Sequence, residues 1–178
     1  MSQYQPPLDQ LMKLGETELG IEWLDYRAMG IGPEHVPELI RLATDEQLIL
    51  QADEEGPDEA QAWACLHALR AIGQLGAVEA VEGILKGLDR LIDLHDFWVE
   101  DLAEVMAVLG PGALPSCERY LENQKHRTDH RIVLCESFVK IGQKHPECRE
   151  RILTFLSRLL SEQTDNDPDL NGFLVSAL

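Results

Sequence analysis

The 178-residue chain, with 44% hydrophobic and 26% charged residues, has ordinary globular composition and room for one compact domain or one stack of short repeats. Thirty-two acidic side chains against fifteen basic ones give a formal charge of −17, which repels a phosphate backbone and argues against nucleic acid as a partner. No run approaches the ~18 uninterrupted apolar residues of a membrane helix, and Met1-Ser2-Gln3-Tyr4-Gln5-Pro6-Pro7 has no basic-then-apolar secretory pattern, so a cytoplasmic address without membrane contact is expected.

In chain order, Pro6 to Leu14 reads as a short helix. Pro33 to Ala43 reads as a clear one with Pro33 in its first turn, and Thr44-Asp45-Glu46-Gln47-Leu48 as a cap and a further start. Asp53-Glu54-Glu55-Gly56-Pro57-Asp58 breaks the composition as a solvated acidic turn. A repeat then takes over. Cys65-Leu66-x-x-Leu69-x-x-Ile72-Gly73, Leu102-Ala103-x-x-Met106-x-x-Leu109-Gly110 and Leu134-Cys135-x-x-Phe138-x-x-Ile141-Gly142 align on glycines spaced 37 and 32 residues apart. Apolar residues at i, i+1, i+4 and i+7 share one helix face, and the glycine suits the left-handed residue that ends a helix.

A second helix is predicted after each glycine. Val78, Val81, Ile84, Leu85, Leu88, Leu91 and Ile92 form the apolar stripe of the first. Leu114, Cys117 and Leu121, behind Pro111 and Pro115, form that of the next, and Cys148, Ile152, Phe155 and Leu159, behind Pro146, that of the third. Three helical hairpins thus fill residues 58 to 162, with the chain expected to form one α-solenoid over 1–178, divergent over 1–56 and repetitive over 57–178. A fourth copy starts at Leu174-Val175-x-x-Leu178 and stops before its apolar-Gly pair, so the sequence is expected to be part of a longer protein. Ala64, Ala68 and Ala71 give the first repeat helix a second, small-residue face that lets a neighbour approach, as stacked hairpins require.

The segment Ala62-Trp63-Ala64-Cys65-Leu66-His67-Ala68-Leu69-Arg70-Ala71-Ile72-Gly73-Gln74-Leu75-Gly76 resembles the A-x-x-A-L-x-x-L-G pattern of short HEAT-like repeats, including those named after the phycobilisome lyases. The resemblance covers roughly residues 58 to 178. It implies an all-α fold, a right-handed α-α superhelix whose second helices line a concave surface for protein contacts. The residues it matches are packing residues, so it speaks to architecture more than to activity.

Several constellations bear on chemistry. The paired His-Glu dipeptides of the di-iron HEAT-repeat hydroxylases are absent, and the charge opposes the basic face of the HEAT-like DNA glycosylases. His95-Asp96 is similar to the metal-binding dipeptide of phosphohydrolases, but Asp96 reads more simply as a helix N-cap. His126 and His130 have the i, i+4 spacing of two metal ligands, yet Lys125, Arg127 and Arg131 around them oppose a cation, which favours a polar interhelical loop. Trp63, His67, Arg70 and Gln74 form an aromatic-polar stripe, either a recognition surface or packing against the upstream helices. Gly30-Ile31-Gly32 and Gly110-Pro111-Gly112 lack a preceding strand and read as turns. Cys65, Cys117, Cys135 and Cys148 form no C-x-x-C pair and read as buried free thiols.

No catalytic, metal or cofactor site is expected. The reading is a non-catalytic protein-protein interaction scaffold, its partner another protein met by second-helix residues Glu82, Lys86, Arg90, Glu118, Glu122 and Arg158. The alternative is a subunit or relative of a phycobilin lyase, which requires a bilin and a second subunit. A repeat region flanking a catalytic domain elsewhere is a third.

Overall fold

The computed structural model describes residues 3–17, 22–48, 60–91, 96–163 and 166–178, with backbone alone at 62, 89–91, 96 and 97. Every regular element among them is helical. The chain divides into two compact units, Met1–Asp101 and Leu102–Leu178. The expected change of character at 56/57 falls outside the described residues.

In the first unit, 3-10 turns at Leu8–Lys13 and Pro33–His35 lead to α1 (Val36–Ala43). The cap expected within Thr44–Leu48 is supplied by Asp45, whose Oδ1 accepts from the backbone N–H groups of Gln47 and Leu48 at 3.2 and 3.3 Å. A 3-10 turn at Ala60–Trp63 opens α2 (Ala64–Leu75), and another at Val78–Ala80 opens α3 (Val81–Leu91). Helix α4 (Asp96–Leu109) crosses the boundary between the units. The second unit continues with α5 (Leu114–Glu122), α6 (Thr128–Lys144), α7 (Arg149–Glu162) and α8 (Pro168–Ser176). Asp167 caps α8, its carboxylate accepting from Asp169 N at 2.9 Å, and Pro168 occupies the first helical position, where a missing N–H costs nothing.

The repeat pattern places the core. Every apolar position aligned on the three first helices is buried: Cys65, Leu66, Leu69 and Ile72 on α2, Leu102, Ala103, Met106 and Leu109 on α4, and Leu134, Cys135, Phe138 and Ile141 on α6. The stripes of α5 and α7 are buried as expected, as are Val81, Ile84, Leu85 and Leu88 of α3. Val78, the first residue of the tight turn before α3, is exposed instead of joining the buried stripe. Helix α2 is buried without interruption from Ala64 to Gly73, packed by α1 and by the Leu8–Lys13 turn, so the alanine face is covered as its composition demands.

Two of the three aligned glycines do something other than expected. Gly73 and Gly142 lie inside helices. Helix α2 ends three residues later at Gly76 (φ 69°, ψ 29°), where Ala77 N bonds Ile72 O at 3.2 Å and Gly76 N bonds Gly73 O at 3.0 Å, the paired bonds of a Schellman motif. Only Gly110 of the three has positive φ, 61°, and an added Cβ there would lie 2.5 Å from His145 Nε2. That imidazole donates from Nε2 to Ala107 O at 3.0 Å and closes the end of α4.

Candidate interaction surface

Helices α5 and α7 present their charged residues to one another. Glu118 and Glu122 are four apart on α5, and Arg151 and Arg158 seven apart on α7, so each pair shares a helix face. Arg151 grips Glu118 with both prongs, Nε to Oε1 at 2.8 Å and Nη2 to Oε2 at 2.7 Å. Arg158 pairs with Glu122 across the helices and with Glu162 at 3.2 Å within α7. Beside these pairs lies an open groove of about 520 Å³ walled by Glu118, Glu147, Glu150, Arg151, Thr154 and Phe155, with the Arg158 guanidinium 5.5 Å above the Phe155 ring centre. The carboxylate hydrogen bonds raise both guanidinium pKa values, so the arginines stay charged throughout the physiological range.

The six residues expected to meet a partner are therefore distributed unevenly. Glu118, Glu122 and Arg158 come together on the second unit. Arg151, central to the same surface, was missed, although its i, i+7 relation to Arg158 opposite an i, i+4 carboxylate pair was a readable signal. On the first unit Glu82 and Lys86 form an exposed i, i+4 ion pair at 3.3 Å on α3. The Arg90 side chain lies outside the described residues.

The aromatic-polar stripe of α2 faces inward. Trp63, His67 and Arg70 are buried, and the last three members of the stripe hold residues 15–17 and 22–27 of their own chain. His67 Nε2 must donate to the Gly15 carbonyl at 3.0 Å, because that oxygen only accepts; its Nδ1 is then the acceptor for the Tyr26 hydroxyl at 2.8 Å. Burial holds this imidazole below its ordinary pKa and pushes the Tyr26 phenol well above its own. Gln74 takes Tyr26 N at 2.9 Å and donates to Leu24 O at 3.0 Å. Arg70 donates to Thr17 and forms a bidentate pair with Asp101, at 2.8 Å from Nε and 2.9 Å from Nη2. Packing against upstream residues is thus the observed role, executed mainly by polar atoms.

The remaining candidates separate. His126 stacks on Tyr120 in the loop, with ring centres 3.7 Å apart, whereas His130 is buried within α6. Arg131 turns to the interior and Arg127 pairs with Asp129. His95 lies outside the described residues, as does the Asp96 side chain, so the capping reading of that dipeptide falls there too. Among the described residues no group of three or more His, Cys, Asp or Glu could hold a metal ion, and no helix is long and apolar enough to cross a membrane. All four cysteines are unpaired and buried, and burial pushes the Cys65, Cys117 and Cys135 thiols up to about 12, which suppresses the nucleophilic thiolate. Comparison with family models, with curated proteins and with solved structures finds no match.

Proposed function

We propose that this chain is a non-catalytic interaction scaffold, a solenoid of HEAT-like helical hairpins in the cytoplasm whose second helices meet another protein. The observation that carries the reading is the α5–α7 surface: two helices whose apolar stripes are spent on the core present ordered carboxylates, two guanidinia and an aromatic ring around an open groove. Arg over an aromatic ring is a favoured interface anchor, and a rim of fixed charges gives register and specificity more than raw affinity. The pairing of those charges with one another matters too. A partner that presents its own carboxylates and bases exchanges ion pairs instead of desolvating lone charges, which keeps the cost of docking low.

Affinity capture with the intact protein from lysate of its source organism, followed by mass spectrometry and an absorbance spectrum, tests the reading. A stoichiometric, colourless protein partner lost on Arg151→Glu/Arg158→Glu is the expected result. A partner carrying bound bilin would replace the scaffold with the lyase-related reading. Capture indifferent to both substitutions, or no partner at all, would remove the α5–α7 surface from consideration.

A further inference from the structure

A single imidazole fastens two separate stretches of chain to α2. Residues 15–17 and 22–27 are held there mainly by polar atoms: His67 bonds Gly15 O through Nε2 and the Tyr26 hydroxyl through Nδ1, Arg70 donates to Thr17, and Gln74 bonds Tyr26 N and Leu24 O. The Arg27 guanidinium returns a bond of 2.9 Å to Gln74 O. Apolar anchorage is thin by comparison. Of these residues only Tyr26 is a core hydrophobic, and Leu24 is 44% exposed. Helix α1, the main neighbour of α2, instead buries Val36, Leu39, Leu42 and Ala43. Stretches with few buried apolar contacts are the ones that open locally while the rest of a fold persists.

We propose that His67 is an acid-released latch: neutral, it fastens both stretches to α2, and protonated, it lets them go while the helices stay folded. Both nitrogens of an imidazolium are donors. Gly15 O can still accept, but the Tyr26 hydroxyl must turn to accept from Nδ1, which strands its own hydrogen where ring and phenol are each 1% exposed. Tyr26 on the fastened stretch, Arg70 on α2 and Asp101 on α4 are the titratable and charged groups around the ring. Arg70 repels the new charge, and Asp101 already gives both carboxylate oxygens to Arg70. Glu16, Glu22, Asp25 and Arg27 of the fastened stretches are exposed, and Asp9 with Lys13 and Glu38 with Arg41 form surface pairs on the elements packed against α2. Once the stretches leave, the imidazolium reaches water and regains its ordinary affinity for the proton, so the open form gains on the closed one as pH falls below about 6.5. The inference concerns the first unit and is independent of the α5–α7 surface.

NMR of the intact, isotope-labelled chain tests the latch by following the His67 ring and both stretches through one pH titration. Between pH 7 and 5 the exchange protection of the Tyr26 amide, which is bonded to Gln74, is expected to fall about tenfold after correction for the intrinsic rate. The Gly15 and Thr17 signals should move with the same midpoint as the His67 ring, while amides inside α1 and α2 keep their protection. His67→Gln supplies the check, because a glutamine amide can donate to Gly15 O and accept from the Tyr26 hydroxyl without titrating. In that variant both stretches should stay fastened over the whole range. Stretches that remain closed down to pH 5, movement of only one of them, or an equal loss of protection throughout α2 would overturn the proposal. So would a His67→Gln variant that opens as the unmodified chain does. Should that variant fail to fold, the titration of the unmodified chain decides, since a midpoint for the stretches that differs from that of the ring overturns the latch equally.

Discussion

Arg70 in the first unit and Arg131 in the second are both buried, and the chain accommodates them by opposite means. Arg70 meets a full countercharge, the bidentate carboxylate of Asp101, with both side chains about as buried as the surrounding leucines. Arg131 is given neutral acceptors: Leu121 O at the end of α5 at 2.8 Å, Gln163 Oε1 beyond α7 at 2.8 Å and Asn166 Oδ1 at 3.1 Å. Gln163 is itself fixed by donating to Glu122 O at 3.0 Å. One helix-end carbonyl and two side-chain amides spread over several dipoles what Asp101 concentrates in one group. Burial lowers the Arg131 pKa, without discharging a group that starts so high. A buried charge can thus be held chiefly by one ionised group or by several neutral ones, and the two arrangements should fail differently.

Breaking the concentrated arrangement has the largest expected effect. Asp101→Ala removes the bidentate carboxylate from a buried guanidinium and should cost about 3–5 kcal/mol in urea unfolding, with much of the loss recovered in the Arg70→Met/Asp101→Leu pair. If the single change costs under ~1 kcal/mol, the pair is hydrated in solution and the contrast disappears. The distributed arrangement should degrade gradually: Gln163→Ala removes one of several acceptors and should cost about 1 kcal/mol.

The His67 network sharpens the comparison through pH. Its folded pKa lies below the ordinary 6.5, so the unfolded state binds the proton first; the stability contributed is complete above about 6.5 and is lost as pH falls below it. Tyr26, Arg70 and Asp101 face this part of the cluster. The unfolding free energy of the intact chain should therefore fall more steeply between pH 7 and 5 than that of His67→Gln, and identical slopes would remove His67 from the account. At the bottom of the scale, Glu82→Gln on the exposed face of α3 should change stability by less than ~0.5 kcal/mol, and that only at low salt.

What the sequence made legible follows from the range of each interaction. The apolar positions of α2 to α7 obey a 3.6-residue period, so their faces could be assigned locally; almost all of those whose side chains are described are buried, and Leu91 and Ile92 lie outside that set. Gly73 and Gly142 misled because a buried helix also uses glycine inside its body, and nothing local separates that use from termination at Gly76. The Arg70–Asp101 pair joins residues 31 apart, and the hold of His67 on Gly15 spans 52, so neither leaves a periodic trace. Glu118, Glu122 and Arg158 were readable as outward residues of second helices, and Arg151 carried the same local signal at i, i+7 from Arg158, but which carboxylate it grips is visible only with α5 and α7 face to face.

The His145 ring that fills the space over Gly110 also joins distant stretches of chain. Its bond to Ala107 O spans 38 residues, and Glu147 lies 3.3 Å from its other nitrogen. The ring's bond to Ala107 O holds the end of α4 against fraying, and it ties that end to the turn after α6. In native-state hydrogen exchange the amides flanking Gly110 and those flanking His145 should therefore open together, with one shared free energy, as a single cooperative unit.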